Sequence, residues 1–284
     1  KLFSEIVRRF PDNEVTISTD ANYTSLITCE KSKINIAGKS GEDFSFLPII
    51  DKDKMITISQ FNLKEIINQT IFSTAPNDNN KMMTGELFEV SDNTLKVVGL
   101  DGHRIAIRSI QLEGRADDVK AVVPGKTLQE ISKLMSTDAE NMVNIYFTNN
   151  HILFEFDNTI VVSRLIEGEY FKINQMLSSD YETKVVINKK EFIGSIDRAN
   201  LLITESEKKP IIINITDGSL EVTVNSSKGK FNEDINIKKE GKDLMIGFNP
   251  KFLMDALRVI DDENVDIYLV NPKAPCFIRD ASQS

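Results

Sequence analysis

Hydrophobic and polar residues alternate along most of the chain, a pattern typical of half-buried β-strands. Turn-forming pairs such as Asp92–Asn93 and Asp217–Gly218 separate the alternating segments. The alternation predicts strands at Val15–Thr19, Lys33–Ala37, Leu87–Val90, Thr94–Gly99, Val143–Thr148, His151–Phe156, Ile211–Ile215, Ser219–Asn225 and Val265–Val270.

Other segments repeat apolar residues with the 3.6-residue spacing of an amphipathic helix. These predicted helices are Lys1–Phe10, Gln60–Thr74, Lys126–Ser136, Lys189–Asn200 and Asn249–Ile260. Each is only about three turns long, so its stability must come from packing its apolar face against other elements. Many strands with a few separate helices predict an α+β fold.

The order of these elements repeats with a spacing of about 125 residues. A helix followed by a strand occurs three times, with Val15, Val143 and Val265 at equivalent positions. The hairpin at 88–98 is likewise similar to that at 213–223. This spacing is too long for a solenoid repeat and suits a duplicated domain. We therefore expect the end of one domain at 1–50, a whole domain at 54–175 and a nearly whole one at 180–284.

Residues able to carry out catalysis form no recognisable motif. His103 and His151 are the two histidines, and neither has metal-ligand spacing to a second ligand. Cys29 and Cys276 lie far apart in a chain without a secretory signal, so we expect reduced thiols. Gly125 precedes a lysine and a threonine but lacks the upstream glycine of a phosphate-binding loop. The sequence predicts no catalytic residue, metal site or cofactor, and hence a protein that is not an enzyme.

Two other classes of function fit parts of the pattern. A β-rich adhesion or carbohydrate-binding protein would need aromatic side chains for sugar stacking, but only 7% of residues are aromatic and none is tryptophan. A hydrolase could use His103 with a nearby carboxylate, although no serine lies in a glycine elbow. No apolar run approaches the ~18 residues that a membrane-spanning helix needs.

Charge is divided unevenly between the predicted helices and the rest of the chain. The net charge is −9, yet the five helical segments hold 11 basic and 6 acidic residues. An acidic protein with basic helices could meet a polyanion through its phosphates. Aromatic residues do not alternate with the basic ones, so base stacking is not expected.

Several short motifs follow one another along the chain in a specific order. They are Gly85–Phe88 (GELF), Leu100–Ile105 (LDGHRI), Val122–Lys126 (VVPGK), Ser163–Gly168 (SRLIEG), Ile246–Pro250 (IGFNP) and Asn271–Cys276 (NPKAPC). The ordered set resembles the bacterial DNA polymerase III beta subunits, the sliding clamps. The resemblance implies a DNA-clamp fold, with repeated domains of antiparallel sheet that each carry two amphipathic helices. It also implies a cytoplasmic, nucleoid-associated processivity factor: a head-to-tail homodimer whose ring encircles and slides on duplex DNA.

The resemblance further implies a hydrophobic cleft that binds short peptides of partner proteins. The partners would be the polymerase alpha subunit, the clamp loader and other proteins with a clamp-binding motif, with no membrane involved. The cleft residues would be Met83, Leu100, Gly102, His103, Arg104, Ile105, Phe171, Gln175, Met176, Lys273 and Pro275. His103 is equally well explained as a hydrogen-bonded turn residue.

Two more sets of residues follow from the resemblance. The DNA-facing residues would be Arg8, Arg9, Lys64, Lys81, Lys126, Lys133, Arg198, Lys251 and Arg258. At the joint between subunits, Phe44 and Phe46 on an edge strand of the first domain would face Leu201 and Leu202 of the last. Those two leucines could equally belong to the core.

The chain departs from the family pattern at several points. Leu100 stands where a hydroxyl residue is frequent, and Phe171 where a proline is frequent. Both changes keep the cleft apolar but alter its shape. Because Lys1 is not a start methionine, we expect the chain to begin inside a longer natural protein. We also expect natural segments to be omitted before Lys1, near Phe46–Asp51 and, for the last strand of the cleft wall, after Ser284.

Overall fold

The computed structural model describes residues 2–44, 46–177, 180–204 and 209–280. The chain divides into two compact units, Lys1–Ile49 and Ile50–Ser284. Lys1, where the first predicted helix begins, and residues 281–284 of the last predicted domain lie outside the described residues.

The first unit contains one helix and one antiparallel sheet. Its elements are α1 (Leu2–Arg8), β1 (Thr16–Thr19), β2 (Thr24–Cys29) and β3 (Ser32–Ala37). The strands lie in the order β1-β2-β3, so β1 and β3 are the edges. Ile27 and Cys29 on the middle strand are buried.

The second unit begins with what we call the central half, residues 54–175. Its helices are α2 (Gln60–Asn68) and α3 (Gly125–Leu134). Its strands are β4 (Lys54–Ser59), β5 (Gly85–Ser91), β6 (Thr94–Leu100), β7 (Ile105–Gln111), β8 (Val119–Pro124), β9 (Met142–Phe147), β10 (His151–Phe156) and β11 (Thr159–Arg164). They form two antiparallel sheets, ordered β11-β10-β9-β4 and β7-β6-β5-β8.

The last half, residues 180–280, repeats this order of helices and strands through its final strand, which corresponds to β10. Its helices are α4 (Lys189–Asn200) and α5 (Pro250–Arg258). Its strands are β12 (Thr183–Asn188), β13 (Ile211–Thr216), β14 (Ser219–Ser226), β15 (Gly229–Gly241), β16 (Leu244–Phe248), β17 (Asn264–Leu269) and β18 (Phe277–Asp280). The long strand β15 pairs with β14 and then with β12, which joins the strands in the order β16-β13-β14-β15-β12-β17-β18.

Each half has its own hydrophobic core between its helices and its sheets. In the central half, α2 packs against α3, and the core includes the fully buried Phe88 and Phe154. In the last half, α4 packs against α5 above a core that includes Phe192. The amphipathic helices thus gain their stability from packing against a sheet.

Side-chain caps fix the starts of three of these helices. Ser59, Asn188 and Asn249 each accept a hydrogen bond from a backbone N–H in the first turn of α2, α4 and α5. Such caps satisfy N–H groups that the helix itself leaves without a partner. Pro250 then occupies the first turn of α5, where its missing N–H costs nothing.

The predicted strands and helices are confirmed as elements, with one substantial difference in length. The helix predicted at Gln60–Thr74 ends at Asn68, and a 3-10 turn follows at Ile71–Ser73. The hydroxyl of Thr70 donates to the Ile66 carbonyl over 2.7 Å, so this side chain competes for a helical acceptor. The apolar period continues through the 3-10 turn, which is why it predicted a longer helix.

Candidate functional site

Four of the predicted cleft residues meet in one hydrophobic cluster of the central half. Leu100 is buried in it, and Met83, Ile105 and Phe171 pack against it half-buried. Tyr170 lies in the same cluster, and its hydroxyl donates to the Val98 carbonyl over 3.2 Å. The LDGHRI motif and the segment after β11 therefore reach the same apolar surface.

The loop between β6 and β7 holds its shape through Asp101. One carboxylate oxygen of Asp101 accepts the backbone N–H groups of His103 (3.0 Å) and Arg104 (3.1 Å). Gly102 has φ of +83°, a conformation that glycine adopts without steric cost. Its α-carbon faces Met83, whose Cε would lie 3.7 Å from an added Cβ. The loop thus sets one wall of the apolar surface.

Arg104 connects this loop to helix α5 of the last half. Its Nε lies 3.0 Å from Asp101, and its Nη1 lies 2.7 Å from Oδ2 of Asp255 on α5. The guanidinium stacks 5.2 Å from the ring centre of Phe72 and 4.5 Å from that of Phe252. A planar guanidinium suits such a combination of forked hydrogen bonds and ring stacking. Arg104 therefore fixes α5 against the loop.

Phe252 is a site residue that the sequence did not indicate. The rings of His103 and Phe252 stack with centroids 5.6 Å apart and an interplanar angle of 29°. Helical spacing marked Phe252 only as an apolar position of its helix. The contact joins two halves of the fold, so no local pattern could have identified it. A second contact between the halves pairs Arg108 with Asp280 at 2.7 Å.

The other predicted cleft residues lie on two loops. Gln175 ends a 3-10 turn that begins at the buried Ile173, and Met176 follows it with 45% of its surface exposed. Lys273 lies in a turn between β17 and β18, where Asn271 accepts its N–H over 2.9 Å. Pro275 is exposed in the same loop. Lys273 and Pro275 lie outside the hydrophobic cluster itself.

Most of the predicted DNA-facing side chains are exposed, and Lys64 is half-buried. Three of them already have partners within the chain: Lys64 donates to the Met135 carbonyl (3.3 Å), Lys133 pairs with Glu130 (2.7 Å), and Arg198 pairs with Glu233 (2.5 Å). The hydrogen bonds from Arg198 lower the pKa of Glu233. Within the described part of the chain, Lys126, Lys251 and Arg258 form no ion pair, so their charges are available to a ligand.

The prediction that Phe44 and Phe46 lie on an edge strand is wrong. The edge strand β3 ends at Ala37, and a 3-10 turn at Gly41–Asp43 precedes Phe44. The intervening segment contains Gly38 and Ser40, and Ser40 caps the turn, so the chain leaves the sheet there. Phe44 and Phe46 are nevertheless 80% and 93% exposed.

The two leucines after α4 have different environments. Leu201 is 74% exposed, whereas Leu202 is half-buried and packs against the core of the last half. Packing in the core therefore explains an apolar residue at position 202, but it does not explain the exposed leucine at position 201. An apolar side chain as exposed as Leu201 is available to a partner surface.

The carboxylate beside His103 in the sequence is engaged in structural contacts. Asp101, the carboxylate nearest His103 in sequence, accepts backbone N–H groups and pairs with Arg104. Over the described residues, no group of three or more His, Cys, Asp or Glu side chains could hold a metal ion. None of the helices in those ranges is long and apolar enough to cross a membrane.

Comparison with known proteins identifies the family over nearly the whole chain. Models of the DNA polymerase III beta subunit match with its N-terminal domain at 1–48, its central domain at 57–172 and its C-terminal domain at 174–284. Beta sliding clamps of Staphylococcus epidermidis and Staphylococcus aureus are 33% and 32% identical over 281 residues. The match covers 98% of this chain and 74% of each relative.

Solved structures agree with this match. A DNA polymerase III beta subunit from Eubacterium rectale is 65% identical, with a TM-score of 0.93 over 99% of this chain and 76% of that one. The sliding clamp of Bacillus subtilis is 31% identical, with a TM-score of 0.93 over 100% of this chain and 75% of its own. The fold is that of a DNA clamp, an α+β architecture of antiparallel sheets and few helices. The chain belongs to the DNA polymerase III beta subunit family, the bacterial beta sliding clamps, which are non-catalytic processivity factors of DNA replication.

Proposed function

We propose that two copies of the protein join head to tail into a ring that encircles and slides on duplex DNA. The observation that carries this proposal is the match of three clamp domain models in order along one chain. We assign the domains to 1–50, 54–175 and 180–284. The order of helices and strands that recurs within the second unit supports this assignment. The exposed Phe44, Phe46 and Leu201 supply apolar surface for the joint between subunits. Leu202 would support that joint from the core beneath it.

DNA binding is proposed for the basic residues on or beside the helices. The set is Arg8, Arg9, Lys64, Lys81, Lys126, Lys133, Arg198, Lys251 and Arg258. Exposed cations on short helices can contact phosphates without reading bases, which allows sliding along any sequence. The acidic remainder of the chain limits the total attraction, so contact stays weak enough for movement.

Partner proteins, including the polymerase alpha subunit and the clamp loader, are proposed to bind at a cleft beside the Arg104 loop. Met83, Leu100, Ile105 and Phe171 provide an apolar surface, with Met176 exposed next to it. Gly102, His103, Gln175, Lys273 and Pro275 complete the proposed set from the surrounding loops. An apolar pocket with a few polar groups at its rim is the usual way to bind a short peptide anchor.

The double variant Met83→Asp/Met176→Asp is expected to lose peptide binding by at least about 30-fold, roughly 2 kcal/mol. Two carboxylates in an apolar pocket would have to be desolvated by the incoming anchors. The probe is a labelled synthetic peptide with one glutamine and two hydrophobic anchors, titrated by fluorescence anisotropy into the full-length protein, with micromolar affinity expected for the unaltered protein.

Met245→Asp is the matched control for this experiment. Met245 is 59% exposed on β16 and lies outside the proposed cleft. The control is expected to bind the peptide like the unaltered protein. Equal loss in both variants, or binding retained in the double variant, would contradict the assignment of the cleft.

Neutralising Lys126, Lys251 and Arg258 to glutamine is expected to weaken association with duplex DNA and to flatten its salt dependence. Each lost phosphate contact removes about 0.9 from the slope of log K against log salt, so the triple variant loses roughly 3. The matched control neutralises Lys120, Lys238 and Lys242, which are exposed on or beside strands. An equal change in slope for both triple variants would argue against DNA contact through the helices.

A further inference from the structure

Glu86 is a buried carboxyl group without a partner. It lies on β5, its surface exposure is 0%, and neither carboxyl oxygen has a hydrogen-bond partner. Across the described ranges it also takes part in no ion pair. A charged carboxylate in such a place costs several kcal/mol, so a buried acid of this kind calls for an explanation.

The groups that face Glu86 explain why it is held as a neutral acid. On β8 it is opposite Val123, and on β6 it lies beside Gly99, where an added Cβ would be 3.4 Å from Oε1. The same Cβ would be 2.6 Å from the carbonyl oxygen of Thr70, so glycine makes room for both oxygen atoms. None of these neighbours is ionisable. Burial therefore raises the pKa of Glu86 to about 8.

The neighbouring hydroxyl of Thr70 does not satisfy Glu86 either. The Thr70 hydroxyl opposes the rise in the pKa of Glu86, but its single proton goes to the Ile66 carbonyl. Ser73, three residues later, has a buried hydroxyl without a partner. Tyr170 is the ionisable group that interacts with Glu86: burial raises the pKa of its phenol first, and the charge of Glu86 raises it further. The lysines of β6 and β8, Lys96 and Lys120, pair with Glu89 instead.

The turn that follows Thr70 also supports the proposed cleft. The 3-10 turn Ile71–Ser73 packs on β6 and β7, the two strands that the Arg104 loop connects. Phe72 in this turn lies under the guanidinium of Arg104. Leu87, the residue after Glu86, belongs to the hydrophobic cluster of the cleft on the opposite face of β5. A shift of the turn would therefore change the position of Arg104.

We propose that Glu86 is a positioning residue: its carboxyl must stay protonated for the 3-10 turn to hold Phe72 against Arg104, and partner-peptide binding weakens when it ionises. This inference rests on the proposed peptide cleft. An ionised carboxylate would repel the Thr70 carbonyl and would need a donor. The Ser73 hydroxyl or entering water can supply that donor only if the turn moves.

The test measures affinity of the full-length protein for the same synthetic peptide from pH 7 to 9.5. The unaltered protein is expected to bind at least fivefold more weakly at pH 9.5 than at pH 7, with a midpoint near 8. Glu86→Gln keeps the shape and removes the ionisation, so its affinity is expected to stay constant within twofold. Glu89→Gln, on the same strand but ion-paired to Lys96 and Lys120, is the matched control and keeps the unaltered pH profile.

A second measurement separates this inference from the cleft proposal. The backbone amide signals of Phe72 and Arg104 are followed by NMR in the free protein over the same pH range. They are expected to shift with a midpoint near 8 in the unaltered protein and to stay unchanged in Glu86→Gln. Amide shifts that persist in Glu86→Gln, or that never occur, overturn the positioning role. If the amide signals shift as expected but the peptide does not bind at any pH, the result supports the positioning role of Glu86 and contradicts the assignment of the peptide cleft.

Discussion

Replacing Arg104 with alanine is expected to destabilise the protein by about 3 kcal/mol and to abolish binding of the peptide. The change leaves Asp101 and Asp255 without their cation, and removing one member of a largely buried pair typically costs 3–5 kcal/mol. Asp255 is 23% exposed, which places the expected cost at the lower end of that range. The stacking of the guanidinium on the rings of Phe72 and Phe252 is lost as well. Urea unfolding followed by circular dichroism measures the stability.

Two further variants make the role of Arg104 specific. Arg104→Lys keeps the charge but lacks the planar fork, so it is expected to recover less than half of the lost stability. Arg108→Ala removes a second ion pair between the halves, with Asp280. It is expected to cost stability without affecting peptide binding. Equal effects of the two alanine variants on peptide binding would contradict a specific role of Arg104 in that binding.

Glu86 is expected to make the protein less stable as the pH rises from about 4.5 to about 8. In this window the unfolded chain releases the proton of Glu86 while the folded protein keeps it. The free energy of unfolding therefore falls as the pH rises. The full effect of a shift this large is on the order of 5 kcal/mol. Above pH 8 both states are ionised, and the contribution of Glu86 changes no further.

The measurement is the free energy of unfolding of the unaltered protein and of Glu86→Gln between pH 5 and pH 9. The difference between the two curves isolates Glu86 from every other titrating group. Glu86→Gln is expected to be relatively more stable at pH 8 than at pH 5, whereas Glu89→Gln tracks the unaltered protein. Parallel curves for the unaltered protein and Glu86→Gln would show that Glu86 is not buried as an unpaired acid.

The strands and helices were predictable where one face alone is buried. Strand β14 alternates strictly, with Leu220, Val222 and Val224 buried, and the alternation predicted it. Strand β5 shows no such alternation of buried and exposed residues, because Leu87 faces the cleft cluster while Phe88 faces the main core. Both faces of β5 are covered, so its apolar run could not reveal the direction of the polar Glu86.

Local patterns predicted the candidate site only where its residues are neighbours in the sequence, and the resemblance to the family was needed to group Met83 and Phe171 with Leu100. The motif Leu100–Ile105 forms one loop whose shape depends on Asp101 and Gly102, and a local motif can indicate such a loop. Phe252 and Asp255 contact the loop from α5 of the last half, and the spacing of residues along the sequence does not predict these contacts. The side chains that fix the geometry of Arg104 were therefore known only from the structure.

Retention on circular DNA distinguishes encirclement from direct binding. The full-length protein is loaded by its clamp loader onto a nicked circular plasmid, and bound protein is separated from free protein by gel filtration. The protein is expected to stay on the circle and to be lost after a single cut linearises it, because a ring held only by topology slides off the ends. Equal retention on circular and linear DNA would contradict encirclement and would indicate direct binding instead.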